Sequence, residues 1–164
     1  MRRKRFPWVV AASAAVWFAF GIALAPAQED PARKGWGRED PYNRLYNPRE
    51  IEKIKARVVR VFETVPMPGM SPATALEVRE GNQTLVVHLC PVWFASPAQV
   101  GVRPGDAVSI RGAWAEIGGK DVFLAAKVKK GDTYEFKARL TRDGTPLWTL
   151  SPEELARERA KSED

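Results

Sequence analysis

With a single cysteine and a single histidine among 164 residues, the chain has no internal disulfide framework and no second histidine for an H-E-x-x-H zinc site. The formal net charge of +6 suggests a polyanionic partner only until its placement is read. Arg2, Arg3, Lys4 and Arg5 precede the first carboxylate, Glu29, and the rest of the chain holds 22 basic against 20 acidic residues, so the excess speaks first of targeting.

In chain order, MRRKRF is a cationic start, WVVAASAAVWFAFGIALA (8–25) is an uncharged apolar run, and A-P-A precedes QED. That order predicts a signal peptide over residues 1–27 with a mature start near Gln28, or an uncleaved membrane-anchor helix. Both place the folded part outside the cytoplasm, periplasmic or exported in one case and held at the inner membrane in the other. No cysteine follows the run, so a lipid anchor has no attachment point.

Residues 28–50 mix Pro, Gly and alternating charge and read as a linker, ordered at its end by Tyr42, Leu45 and Tyr46 lying on the domain. From there the pattern turns to short β runs: KARVVRVFE (55–63), ATALEVRE (73–80), QTLVVHLC (83–90), AVSIRGAW (107–114) and DVFLAAKVKK (121–130), with TYEFKARL (133–140) alternating again. Gly81-Asn82 and Gly118-Gly119 are hairpin turns. Five strands with the long connection after the third predict an all-β domain over 51–150, a small OB-fold-like barrel, with a β-sandwich as the alternative. Its expected core is Leu76, Val78, Leu85, Val87, Val108, Ile110, Leu124 and Val128. S-P-E-E at 151–154 is a capping box opening a short, charged C-terminal helix over 151–164.

Y-N-P-R-E, V-H-L-C-P-V-W-F, G-D-A-V-S-I-R-G, V-K-K-G-D and R-D-G-T-P-L-W, in that order, resemble a family of small exported bacterial OB-like domains, related to the C-terminal domain of the magnetosome-associated MamS and MamX proteins. The likeness spans about residues 42–148. It implies fold and export and no assigned activity. The family pattern has Gly where this chain has Cys90, and the C-x-x-C-H haem motif of some relatives is absent.

LVVHLCPVWF (85–94) holds the histidine, the cysteine and a Trp-Phe pair. Strand alternation puts Leu85, Val87 and Leu89 inward and His88 and Cys90 together on the outer face. Imidazole and thiolate suit copper or zinc, and Met67 and Met70 could add thioethers. The structural alternative, a central strand stopped by Pro91, is preferred, and no cofactor is expected beyond that metal option. Trp93, Phe94, Trp114 and Trp148 could stack on a ligand ring, and Lys127, Lys129 and Lys130 form a basic cluster, within a domain holding 14 basic and 10 acidic residues over 51–150. Trp93, Phe94, Trp114, Lys127 and Lys129 are the candidate partner surface. GMSPA is not G-x-S-x-G, and no catalytic constellation emerges. The expectation is a non-catalytic exported binding module of the cell envelope, with a periplasmic copper-binding or carrier protein as the alternative. Its expected partner is another envelope protein; no nucleic acid is expected, and the membrane is touched only through residues 8–25 if they are retained.

Overall fold

The computed structural model describes residues 30–161; the expected signal peptide or anchor helix lies outside the described residues. Six strands follow one another: β1 (Glu52–Thr64), β2 (Ala73–Glu80), β3 (Gln83–Pro91), β4 (Ala107–Ile117), β5 (Lys120–Lys130) and β6 (Tyr134–Lys137). A one-turn helix, α1 (Pro41–Arg44), precedes them and α2 (Pro152–Ala160) follows. The expected hairpins form at Gly81-Asn82 and Gly118-Gly119.

β1 pairs antiparallel with both β2 and β4, β2 with β3, and β4 with β5. A short parallel contact, Val87 with Phe123 and His88 with Leu124, joins β3 to β5. Five strands therefore close into a ring ordered β1-β2-β3-β5-β4. β6 pairs with the far half of β5, opposite Lys127–Lys130. The β-sandwich alternative is not what forms.

Alternation on β1 buries Ile54, Ala56 and Val58 and exposes Lys53, Lys55 and Arg57. Seven of the eight expected core residues are buried. Leu85 is the exception: two residues from the hairpin start, it is only partly covered. Register shifts with an extra residue at Val59 of β1, at Leu89 of β3 opposite Thr74 and Ala75, and at Ala126 of β5 opposite Arg111 and Gly112 supply the local twist a small ring needs to close.

At the last of these shifts β4 and β5 approach closely. A Cβ at Gly112 would sit 2.2 Å from the Leu124 carbonyl oxygen and 2.8 Å from the Phe123 ring. A backbone oxygen in a sheet cannot move aside cheaply. Gly112→Ala should lower unfolding free energy by about 1–3 kcal/mol, read in a denaturant melt, because over-filling a packed seam forces backbone shifts. An unchanged midpoint would mean that the two strands are further apart than described.

Most of the stretch expected as a linker is exposed, its end lies on the domain as expected, and four of its side chains enter the core. Trp36, Tyr42, Asn43 and Tyr46 are all buried, and α1 lies against the ring. The Trp36 indole N–H donates to Ser71 O at 3.0 Å, and the Asn43 amide donates to Trp36 O and Gly37 O. At the other end, Ser151 Oγ accepts from Glu154 N while the Glu154 carboxylate accepts from Ser151 N, the expected capping box. α2 buries no residue. Among the described residues no helix is long and apolar enough to cross a membrane.

Candidate functional site

His88 and Cys90 do not share an outer face. His88 is 5% exposed and Cys90 fully buried, so the outward pair expected from strand alternation is corrected on two counts. First, the second face of β3 is covered by the N-terminal segment: Tyr42 Oη lies 3.2 Å from His88 Nδ1. Second, the register shift opposite Thr74 and Ala75 pairs His88 with Ala75 but Cys90 with Thr74. Because cross-strand partners share a face and neighbours on β2 alternate, the shift turns Cys90 away from His88. Cys90 Sγ and Thr74 Oγ1 both donate to Ala95 O, at 3.6 and 2.7 Å. Of the expected thioethers, Met70 packs on Gly35 and both methionines are partly buried against the core.

Burial sets the protonation of both groups. Desolvation pushes the Cys90 thiol up to about 12 and the His88 imidazole down to about 4, so at neutral pH the first is a thiol and the second is neutral. Cys90 should therefore resist alkylation by iodoacetamide in the native protein and react fully once unfolded. Comparable labelling of the folded protein would show an accessible thiolate.

Close to Tyr42 lies a buried cation. Arg139 is 2% exposed, and no carboxylate pairs with it among the described residues. Its Nη2 donates to Asn43 Oδ1 at 2.7 Å and Nη1 to Gly144 O at 3.3 Å. Its guanidinium lies 5.0 Å from the Tyr46 ring centroid and 4.9 Å from that of Trp148. Desolvation lowers its pKa, and the nearby Tyr42 and Tyr46 hydroxyls oppose that shift. The Tyr42 hydroxyl lies within electrostatic reach of the guanidinium. Tyr42 Oη and His88 Nδ1 share a hydrogen bond whose donor is set by the imidazole tautomer. Gly144, at φ 76°, fits here doubly, since a Cβ would also meet the Tyr46 ring at 2.5 Å. Arg139, Asn43, Tyr42 and His88 thus form one polar chain that pins the N-terminal segment to the ring.

The expected partner surface divides into three places. Trp93 and Phe94 join a run of edge-to-face rings through Trp148 and Trp36 to Tyr42, with centroids 4.9–6.5 Å apart. Trp36, Trp93 and Trp148 line a cleft of about 480 Å³ with Arg33, Arg38 and Asp40. Arg33 lies 4.7 Å over the Trp93 ring, and the buried Trp93 Nε1 has no hydrogen-bond partner among the described residues. Trp114 sits elsewhere, edge-on to Phe123 and donating to Glu52 Oε2 at 3.1 Å. Lys127 and Lys129 stand on the outer face of β5, each about 3 Å from Glu135. Next to them are cations of β1 and β4 that the sequence reading had not grouped: Lys53, Lys55, Arg57 and Arg111.

Residues 50–135 match the family model described as the MamS/MamX magnetosome protein family. This interval falls inside the likeness read from the motifs and covers the whole five-strand ring. No curated protein matches the chain.

Proposed function

The chain belongs to the MamS/MamX magnetosome protein family, and from that premise we propose that it is a magnetosome-associated, non-catalytic binding module of the bacterial cell envelope. One observation carries the reading. The side chains with reactive chemistry, His88 and Cys90, are sealed in the fold in neutral form. What reaches solvent is an aromatic cleft and a face of cations, which are means of recognition rather than of bond making.

We read the ring as an OB-like barrel. The order β1-β2-β3-β5-β4, the parallel β3–β5 contact and the long connection over 92–106 support it. Such a barrel presents ligands on its outer wall and end loops, which is where the cleft and the cations lie. Export rests on the cationic and apolar order of residues 1–27. Copper or zinc binding through His88 and Cys90 is not part of this reading, since the bulge turns them apart and a ligand thiolate would have to form inside the core.

The test is a C-terminally tagged full chain expressed in its native bacterium, followed through cell fractionation with protease treatment of spheroplasts. Co-fractionation with magnetosome or envelope membranes and digestion of the tag in spheroplasts are the expected results. A tag that is protected and cytosolic overturns the proposal. A Cu(I) and Zn(II) titration of the reduced protein that shows tight stoichiometric binding, lost in both His88→Ala and Cys90→Ser, would replace it with a metal carrier.

A further inference from the structure

The outer face of β1, β4 and β5 is lined by Lys53, Lys55, Arg57, Arg111, Lys127 and Lys129. Strand register sets these cations directly against one another. Lys53 is opposite Arg111, Arg111 is opposite Lys127, and on the other side of β1 Arg57 is opposite Arg79. Like charges directly opposed in a sheet are destabilising, so the fold tolerates an arrangement that its own stability does not favour. Glu135 is shared by Lys127, Lys129 and Lys137 and offsets only part of the charge. Among the described residues Lys53, Lys55, Arg79 and Arg111 have no carboxylate within ion-pair distance.

The face is furrowed. A depression of about 170 Å³ lies between Lys53, Ser109, Arg111 and Lys127. It shares Ser109 and Lys129 with one of about 430 Å³ that runs on to Arg57 and Arg79. On its other side it shares Lys53 and Arg111 with one of about 460 Å³ that reaches Arg142. Along β1 the cations stand at every second residue, which for an extended strand is a spacing of roughly 6.6–6.8 Å. An extended polypeptide with a carboxylate at every second residue has the same pitch.

We propose that this furrow is a docking site for an extended acidic polypeptide segment of a partner protein, held by Lys53, Lys55, Arg57, Arg111 and Lys127. Two other polyanions fit less well. The large apolar side chains exposed among the described residues are Val59 and Val65, so no aromatic or leucine side chain stands ready to enter a lipid surface. The three depressions of the furrow have no aromatic side chain in their lining, so they hold no platform on which nucleobases would stack.

The test measures fluorescence anisotropy of a labelled peptide of alternating Glu and Ser, titrated with the full chain. Binding should weaken at least about tenfold between low and high salt, as contacts between exposed charges do. The triple variant Lys53→Gln/Arg111→Gln/Lys127→Gln should lose binding by at least about tenfold, with Arg111→Gln alone showing a smaller loss in the same direction. A control with the same change in net charge, Lys34→Gln/Lys120→Gln/Arg159→Gln, should bind as the wild type does. The melting temperature of the double variant Lys53→Gln/Arg111→Gln should equal or exceed that of the wild type, because a like-charge pair is relieved and neither side chain has a carboxylate partner. Equal loss in the control, no loss in the triple variant, or a lowered melting temperature of the double variant overturns the proposal. So does tighter binding, at the same salt, to anionic phosphatidylglycerol vesicles or to an oligothymidine strand.

Discussion

Arg139→Ala should be among the most damaging single substitutions in this protein, with a loss of about 2–4 kcal/mol in a denaturant melt. The change removes a side chain wedged between the Tyr46 and Trp148 rings. It also strips the donors from Asn43 Oδ1 and Gly144 O, and a buried acceptor left without its donor carries its full desolvation cost. Arg139→Lys should recover only part of the loss, since an ammonium has neither the planar face that stacks on two rings nor the fork that reaches both acceptors. Arg139→Met tests the balance from the other side. It keeps the apolar stem and removes an uncompensated buried charge, so it should fall between wild type and Ala. If Ala and wild type melt together, the guanidinium is not what fastens the N-terminal segment.

Acid should weaken the fold through His88 in a defined window. Burial depresses its folded pKa to about 4, whereas in the unfolded chain it titrates near 6.5. Between those values the unfolded state holds the extra proton, so stability falls as pH drops from about 6.5 to about 4. Above that window the residue contributes no slope, and below it the folded state takes the proton as well and the loss stops growing. Over the window the loss is roughly 3 kcal/mol. Tyr42 and Cys90 stay neutral throughout that window and supply no charge to offset the cost. His88→Gln retains a hydrogen-bond partner for the Tyr42 hydroxyl and should flatten that part of the stability–pH curve. Carboxylates held low by lysines, Glu135 among them, lose their contribution in more acid solution and are common to both proteins. The difference between the two curves therefore isolates the histidine, and parallel curves would refute its role.

Strand alternation, the two hairpins, the long third connection and the capping box were all legible in the sequence, because each depends on residues within a few positions of one another. The surroundings of His88 were not. Its cover comes from Tyr42, 46 residues upstream, in a stretch whose Pro, Gly and charge content imitates a linker. Nothing periodic marks Trp36 as core. Cys90 was misplaced for a different reason: one extra residue at the shift opposite Thr74 and Ala75 reverses the face of everything beyond it, and strict alternation contains no signal for it. Arg139 alternates with Ala138 and Leu140 as a solvent residue would, yet β6 ends at Lys137 and the chain then turns inward. The basic face was half visible. K-I-K-A-R shows Lys53, Lys55 and Arg57 on one side of β1, but their neighbourhood with Arg111 and Lys127 exists only through register between distant strands.

The ring is closed by a parallel seam two residue pairs long, and His88 is one of the four residues in it. The Tyr42 hydroxyl that meets His88 therefore acts at the shortest joint in the sheet. Were the N-terminal segment to lift, the joint would lose its cover, and opening it would expose the free edges of β3 and β5 with their unpaired amides and carbonyls. Such edges pair readily with strands of other molecules. The clasp formed by Tyr42, Asn43 and Arg139 thus lies over the joint that keeps the edges of β3 and β5 paired with each other.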